Sequence, residues 1–316
     1  MSAASQPVVS IIVVSYNTAD MTAACLRSIA AQTQGLAHEV IVVDNASTDG
    51  TADWLAAQSE PRLTILRNAV NTGGAGGFSR GLLAMRDEIQ PDWCLLMDDD
   101  ARPEPGALAQ FRALLIDPAA DAYAADVRYP DGRICDMNRP LRNPFAGFSF
   151  RQGFRVPDSA HSPSAAAQPI DMASFVGLFL SRKALAAVPP PDARLFLYGD
   201  DLLYTLAGTQ AGTRLLFAPA IRFEHDCTTL AAGEKIYRPL WKIYYHRRNA
   251  VFLYRQAAGV LAWPLLALRL ARWWAETRAY APEERADVRR LLRAAVWDGI
   301  RGRLEPVPDG VPSPGG

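Results

Sequence analysis

Short apolar runs alternate with helix-like segments along the first hundred residues. The runs at 8–14, 39–43, 63–66 and 93–97 are rich in Val, Ile and Leu, as in strands that are buried on both faces. Between these runs, apolar residues recur at helical spacing. Strands and helices in alternation predict an α/β fold, in which a mostly parallel sheet is flanked by helices.

This regularity is lost further along the chain and then returns. Residues 130–169 are rich in Pro, Gly, Ser and Ala, which predicts an irregular excursion of the kind through which substrates enter a site. A helix is expected from Asp200, a strand over 213–223 and helices over 233–293. The predicted division is a main α/β domain at 1–230, a C-terminal helical region at 231–300 and a disordered tail at 301–316.

A polar loop follows each of the four predicted strands. In an open parallel sheet, ligands bind beyond the carboxyl ends of the strands. Any one of these loops could be ordinary turn chemistry, but four at the same edge favour a binding site. The loop residues are Ser15, Tyr16 and Asn17 after the first strand, Asp44 and Asn45 after the second, Asn71, Gly74 and Gly76 after the third, and Asp98, Asp99 and Asp100 after the fourth.

The three consecutive carboxylates at 98–100 are the most informative of these loops. Adjacent carboxylates repel one another and lose solvation at the end of a buried strand, so we expect a cation to offset that cost. Oxygen ligands suit Mg²⁺ or Mn²⁺, which keep open positions for phosphate oxygens. The alternative is a solvated strand end followed by a turn and helix start at 101–105.

Composition narrows the functional classes. The chain has 316 residues with 33 Lys or Arg and 33 Asp or Glu, so its formal net charge is zero and no general attraction to nucleic acid is expected. Its four cysteines are scattered without a CxxC or Cys/His cluster, which argues against a zinc site or a disulfide framework and for a reduced, cytoplasmic compartment. The apolar run at 8–14 is too short for a signal peptide or a membrane span.

Taken together, the segments 11–17 and 42–51, the glycine loop after Asn71 and the acidic triplet 98–100 resemble glycosyltransferase family 2. The resemblance spans roughly residues 8–250 and is greatest to its galactofuranosyltransferase and rhamnosyltransferase branch. It implies the GT-A fold, and it implies an inverting hexosyltransferase that moves a sugar from a nucleotide donor during cell-surface polysaccharide synthesis. The preferred donor is UDP-galactofuranose, followed by dTDP-rhamnose, and the acceptor is a glycan or a polyprenol-linked glycan.

The resemblance also implies roles for individual residues. Asp44 would accept a hydrogen bond from the donor base, and Asp98, Asp100 and His225 would ligate Mn²⁺ or Mg²⁺. For Arg80, bordering the nucleotide and being a surface charge are equally open. The other residues expected at the donor are Ser15, Tyr16, Asn17, Asn45, Asn71, Gly74, Gly76 and Asp99, with Asp98 also facing the ribose.

Asp200 and Asp201 stand at the predicted start of a helix. They could be a capping pair that satisfies free backbone amides. The resemblance instead makes Asp201 the general base that removes a proton from the acceptor hydroxyl. Asp200 could raise the basicity of Asp201 or orient it, and the choice of base within the pair stays open.

Two further segments lie in the helical region. Residues 244–249 resemble a Tyr-Tyr-x-x-Arg-Asn segment of the same branch and could meet the leaving diphosphate or the acceptor; the alternative is an aromatic core face with a solvated basic face. Residues 258–274 are apolar, rich in Trp and edged with Arg, which suits a helix lying at a membrane surface. Packing on the main domain or a contact between copies of the chain is the alternative.

Two other functions compete with the transferase. A sugar nucleotidyltransferase also joins a parallel sheet to an acidic metal site, but it would carry a basic glycine-rich loop where residues 15–17 stand. A catalytically inactive glycan-binding protein could keep the same fold. The intact Asp98, Asp100, Asp201 and His225 argue against that second alternative.

Overall fold

A mixed β-sheet runs through the protein. Its structure is a computed structural model, which describes residues 8–33, 38–115, 120–146, 154–227, 236–305 and 307–312. The strand order is β3-β2-β1-β4-β8-β6-β9-β5, and β7 pairs with β9. The strands are β1 Val9–Ser15, β2 His38–Asp44, β3 Leu63–Arg67, β4 Trp93–Asp98, β5 Ala101–Pro103, β6 Ala122–Arg128, β7 Gln168–Pro169, β8 Leu178–Ser181 and β9 Leu215–His225.

Helices cover the sheet and form the C-terminal region. The described helices are α1 Ala19–Gln32, α2 Thr51–Ala56, α3 Gly73–Ala84, α4 Ala107–Leu114, α5 Arg182–Ala187, α6 Asp200–Gln210, α7 Lys242–Ala258, α8 Ala262–Glu276 and α9 Arg285–Arg301. The predicted α/β fold is confirmed: β1 to β4 are parallel, and antiparallel pairing enters only where β8, β5 and β7 join the sheet.

The register of the parallel strands places the predicted site residues at one level. Ser15 of β1 pairs with Asp44 of β2, and Val14 pairs with Asp98 of β4. Helix α3 lies close against β1, since a Cβ on Gly77 would come within 2.5 Å of the Val14 side chain. The polar loops therefore converge on one edge of the sheet, as the sequence predicts.

The irregular segment predicted at 130–169 is confirmed over its described residues. Its described residues contain short 3₁₀ turns at Asp136–Asn138 and Asp158–His161, the two-residue strand β7 and isolated β-bridges at Ile134, Leu141 and Arg155. Residues 147–153 of this prediction lie outside the described residues, as do 228–235, which include the start of the helices expected over 233–293. The domain boundary at 230 falls in that second gap and stays a prediction.

The C-terminal tail differs from the disorder expected at 301–316 over its described part. Val311 is buried and packs in a cluster with Phe196, Tyr244 and Tyr245. The Tyr245 hydroxyl also donates a hydrogen bond to the carbonyl oxygen of Pro312. A single apolar side chain in a Pro- and Gly-rich segment can thus be buried against the rest of the protein, and a search for apolar periodicity does not detect it. Residues 306 and 313–316 lie outside the described residues.

Helices α7 and α8 form an antiparallel hairpin. Gly259, with φ 54°, ends α7, and Arg247 near the start of α7 pairs with Glu276 at the end of α8 at 2.8 Å. Within the described residues, 242–279 is the one stretch long and apolar enough to cross a membrane by length and composition; its most apolar window is 22% buried and has a mean hydropathy of 1.4. Because the stretch doubles back at Gly259, it is not one continuous helix.

Candidate active site

A cavity of about 1160 Å³ opens at the carboxyl edge of the parallel strands. Its walls come from the loops after β1 to β4, from the irregular segment, from the start of α6 and from α7. The structure thus brings most of the sequence-predicted site into one space. The predicted residues that line the cavity are Tyr16, Asn45, Asn71, Gly74, Asp98, Asp99, Asp100, Asp200, Asp201 and His225.

Asp98, Asp100 and His225 form a compact group of possible metal ligands. One ligand atom from each lies within 4.8 Å of the other two, and His225 Nε2 is 3.0 Å from an Asp100 carboxylate oxygen. Sheet pairing creates this proximity, because Ala101 of β5 is paired with His225 of β9. Two carboxylates and an imidazole suit Mn²⁺ or Mg²⁺, so the residues present fit the predicted cation.

Burial makes the charged forms of these carboxylates costly. Burial, with the charge of Asp100 adding to it, raises the pKa of Asp98 to about 7. Burial also raises the pKa of Asp99 to about 6, partly offset by the hydrogen bond that Asp99 accepts from Thr18. Burial lowers the pKa of His225, but contacts with Asp100 and Cys135 outweigh it and raise that pKa to about 10. A bound cation would relieve the repulsion among the carboxylates.

Asp200 and Asp201 begin α6 and face the same cavity. Gly199 occupies the N-cap position, but the Asp201 carboxylate still satisfies a free backbone amide of the first turn, because its Oδ1 accepts the Leu202 N–H at 2.7 Å; the capping alternative therefore holds in part. Burial raises the pKa of Asp201 to about 6, and burial together with the neighbouring Asp201 charge raises the pKa of Asp200 well above its ordinary value. Burial thus makes the charged form of both carboxylates costly, and with a pKa of about 6 Asp201 is largely ionised at neutral pH.

A pair of residues on α7 holds the backbone just before these carboxylates. The Asn249 side-chain amide donates to the carbonyl oxygens of Leu195, Leu197 and Tyr198 at 2.9, 3.1 and 2.7 Å. The guanidinium of the fully buried Arg248 donates to carbonyls of the same segment. This Arg248–Asn249 clamp fixes the approach of the chain to α6.

The clamp decides between the two interpretations of residues 244–249. Tyr244 and Tyr245 are fully buried, as the aromatic-core alternative predicts. Arg248 is buried too, so the basic face is not solvated there, and its guanidinium is committed to backbone carbonyls rather than free to meet a diphosphate. His246 and Asn249 line the cavity.

The glycine loop touches the segment that the clamp holds. Gly73 has φ 66°, and a Cβ there would lie 2.0 Å from the Phe196 carbonyl oxygen, so only glycine permits this approach. The Ala75 N–H donates to the same oxygen at 3.2 Å. Asn45 anchors the loop from the other side by donating to Asn71 and to the Gly73 carbonyl. The expected donor loop and the expected base loop are therefore one packed unit.

Asp44 and its neighbours are hydrogen-bonded to one another at the ends of β1 and β2. One oxygen of the buried Asp44 carboxylate accepts the Ser47 N–H at 2.9 Å; the other has no hydrogen bond, although the Arg67 guanidinium is 3.4 Å away. Ser15 is buried and bonded to hydroxyl groups of α1, and the Asn17 N–H donates to Ser47. Ser15, Asn17 and Asp44 are not among the cavity-lining residues.

Gly76 and Arg80 also lie away from the cavity lining. Gly76 is packed against Thr72, where an added Cβ would come within 2.2 Å of the threonine hydroxyl, so its role is close packing of the loop. Arg80 is exposed on α3, which favours the surface-charge alternative for this residue.

Sequence reasoning missed Asn138. Its side-chain oxygen accepts the Nδ1 hydrogen of His225 at 2.7 Å, and its amide donates to Ser174 at 3.0 Å. That bond leaves Nε2 directed at Asp100 and fixes the ring orientation, as a partner behind a metal-ligating histidine does. No local signal marks Asn138, since it lies in the irregular segment 87 positions from His225.

The structure has the GT-A fold. The structure is similar to S. aureus TarS 1–349 in complex with UDP-GlcNAc, with a TM-score of 0.55, 15% identity and coverage of 98% of this chain and 99% of that one. It is also similar to the mannosyltransferase PcManGT from Pyrobaculum calidifontis in complex with GDP-Man and Mn²⁺, with a TM-score of 0.52, 18% identity and coverage of 94% and 88%.

The chain belongs to glycosyl transferase family 2, whose model matches residues 10–175. Its sequence is 26% identical to the galactofuranosyltransferase GlfT1 of Mycobacterium tuberculosis over 302 residues, which are 92% of this chain and 93% of the relative. It is 33% identical to the succinoglycan biosynthesis protein ExoO of Rhizobium meliloti over 232 residues, or 73% of this chain and 60% of the relative. The predicted family and its galactofuranosyltransferase-like branch are confirmed.

The raised carboxyl pKa values predict that the metal-free protein loses stability as pH rises from 6.5 to 8. At the lower end of this range the folded state still holds a proton on Asp98, which the unfolded state has released above an ordinary pKa of about 4. The raised pKa values of Asp200 and His225 act in the same direction. Two groups oppose the trend: burial lowers the pKa of His246 to about 3, which acts mainly below its unfolded pKa of about 6.5, and the contacts of Cys135 with Cys227 and His225 lower the pKa of that thiol to about 5. The three raised groups outnumber the one thiol that opposes them above pH 6.5.

Thermal unfolding in a chelator, followed by circular dichroism, checks this expectation. The midpoint should fall between pH 6.5 and 8, and Asp98→Asn should flatten the dependence. Asp131→Asn, which removes an exposed carboxylate at a turn, should leave it unchanged. A midpoint that rises over this range in the wild-type protein would contradict the electrostatic account.

Proposed function

We propose that the protein is an inverting, metal-dependent glycosyltransferase that uses a nucleoside diphosphate sugar. The observation that carries this proposal is the presence, in one cavity, of a metal-type ligand group and a separate pair of carboxylates whose pKa values are both raised by burial. The first is suited to a diphosphate and the second to an acceptor hydroxyl. Family membership excludes the nucleotidyltransferase alternative, while the inactive binding protein is tested by turnover.

The donor is expected to lie against the loops after β1 to β3. Tyr16 and Asn71 line the cavity there, and Asp44 keeps a buried oxygen without a hydrogen bond, suited to an N–H of the nucleotide base. UDP-galactofuranose is the preferred donor, because GlfT1 is named a galactofuranosyltransferase and the similar TarS structure holds UDP-GlcNAc. dTDP-rhamnose is the second candidate.

Asp98, Asp100 and His225 are the proposed ligands of Mn²⁺ or Mg²⁺. When bound, the cation would offset the negative charge that develops on the departing nucleoside diphosphate. Asn138 holds the His225 ring so that Nε2 remains directed into the ligand group. PcManGT, a structure of similar fold, contains Mn²⁺ together with GDP-Man.

Asp201 is the proposed general base. With a pKa of about 6 it is largely ionised at neutral pH, so it can accept the acceptor hydroxyl proton while that oxygen attacks the anomeric carbon. The attack breaks the bond to the diphosphate in a single displacement, which inverts the anomeric configuration. Burial and the neighbouring Asp201 charge raise the pKa of Asp200, and the Arg248–Asn249 clamp holds the preceding segment in place.

The acceptor is proposed to be a glycan or a polyprenol-linked glycan, reached from the cytoplasmic face of a membrane. Helix α8 buries Leu266 and Trp273 against its neighbours, but leaves Trp263 50% and Leu268 73% exposed. Arginine side chains edge this face, and two of them, Arg289 and Arg293, lie over the ring of Trp274. Exposed Trp and Leu within an arginine border suit the surface of an anionic bilayer.

Replacing Asp201 by Asn should lower kcat about 10²–10⁴-fold, the usual contribution of a general base, and leave the dissociation constant of the donor nearly unchanged. Turnover is measured by release of nucleoside diphosphate with donor and acceptor present, and donor binding by calorimetry. Asp87→Asn, an exposed carboxylate distant from the cavity, is the matched control and should turn over normally. Wild-type turnover in the Asp201 variant would remove this residue from the mechanism.

Substituting Leu268 by Glu should weaken binding to phosphatidylglycerol vesicles about tenfold or more, because it removes apolar contact and adds repulsion. Co-sedimentation at low ionic strength measures this binding. Leu83→Glu, at an exposed apolar position on α3, should bind as the wild-type chain does. A concentration-dependent dimer that Leu268→Glu dissociates, with no vesicle binding, would assign this face to a contact between copies instead.

A further inference from the structure

A second group of metal-ligating side chains lies beside the carboxylates. Cys135, His225 and Cys227 each offer a ligand atom within 4.8 Å of the other two. Cys227 follows β9 two residues after His225, and Cys135 is held next to it because its N–H donates to the Val127 carbonyl of β6 at 2.9 Å. We infer that these three residues form a binding site for a divalent cation that prefers thiolate ligands, such as Zn²⁺.

The sulfur spacing matches a shared metal rather than a disulfide. The two Sγ atoms are 3.9 Å apart. Two thiolates on one tetrahedral zinc, each about 2.3 Å from the metal, are about 3.8 Å apart, whereas a disulfide requires about 2.05 Å. The cysteine pair therefore already has the separation that a bound zinc ion would impose.

The position of the pair allows an ion to reach it. Cys135 is buried, but Cys227 is partly exposed and lines the cavity together with His225. Cys25 and Cys94 are buried in the two halves of the core and are not members of this group. Two thiolates and one imidazole leave one tetrahedral position open, and binding releases the thiol protons to solvent.

The thiolate site and the carboxylate site share His225. A neutral imidazole has one protonated nitrogen and one free lone pair, so it serves a single cation at a time. To ligate zinc beside Cys135 and Cys227, the imidazole must give up its bond to Asn138 or its contact with Asp100, so zinc would withdraw His225 from the carboxylate site. This consequence rests on the proposed function and makes zinc an inhibitor; the thiolate site itself does not depend on it.

Cobalt(II) titration of the chelator-treated full-length protein tests the site directly. Cobalt bound to thiolates gives an intense sulfur-to-metal charge-transfer band, which carboxylate and imidazole ligands do not give. We expect the band to saturate near one equivalent, to be displaced by Zn²⁺, and to be lost in Cys135→Ser and Cys227→Ser. Asp100→Asn, which alters only the carboxylate set, should retain it. Absence of the band in the wild-type protein, or its persistence in Cys227→Ser, would overturn the assignment.

A second measurement separates this site from the proposed function. Zinc is titrated into the Mn²⁺-supported transferase assay, and each variant is compared with its own zinc-free rate. Cys227→Ser should need at least tenfold more zinc for half inhibition than the wild-type enzyme. Equal sensitivity would overturn the inhibitory role. If no transfer is detected at all, the proposed function fails, while the cobalt band still decides the thiolate site.

Discussion

The crowding of carboxylates at one edge of the sheet is the constraint on which the site depends. Asp98, Asp99, Asp200 and Asp201 all carry raised pKa values, and burial is the largest cause for each. An arrangement of this kind costs folding free energy unless a cation or retained protons offset it. The structure offers a ligand group that suits a divalent cation, and the raised pKa values of Asp200 and Asp201 favour retained protons on the other pair.

The scaffold holds these charges in place by close packing. Parallel register sets the strand ends at one level, and glycines let α3 and its loop approach β1 and the Phe196 carbonyl. The Arg248–Asn249 clamp then fixes the segment that leads to Asp201. The glycine loop and the Arg248–Asn249 clamp thus contact the same short segment before α6 from two sides.

The sequence predicts the location of those cavity residues that directly follow a parallel strand. Tyr16, Asn45, Asn71 and the acidic triplet could be placed at one edge because each sits at the carboxyl end of a predictable parallel strand. The β–α alternation likewise predicted the fold and the helical C-terminal region.

The remaining parts depend on tertiary contacts that no local pattern reports. Asn138 and Cys135 belong to the irregular segment, and only the pairing of β6 with β9 brings that segment to His225. The spacing of Cys135, His225 and Cys227 along the chain shows no metal motif, although in the folded protein their ligand atoms lie within 4.8 Å of one another. A solvated basic face, one of the two alternatives for residues 244–249, does not hold at Arg248, because a helical pattern cannot show that a buried guanidinium will donate to backbone carbonyls.

The central claim is that Asp98, Asp100 and His225 hold a divalent cation that helps to bind a nucleoside diphosphate. Calorimetric titration with UDP, with and without Mn²⁺, tests it most directly in the wild-type protein and in Asp100→Asn. The account predicts that Mn²⁺ tightens UDP binding to the wild-type protein by a factor of about ten or more, which corresponds to about 1.4 kcal/mol, and has little effect on the variant. Equal UDP affinity of the wild-type protein with and without Mn²⁺ would contradict it.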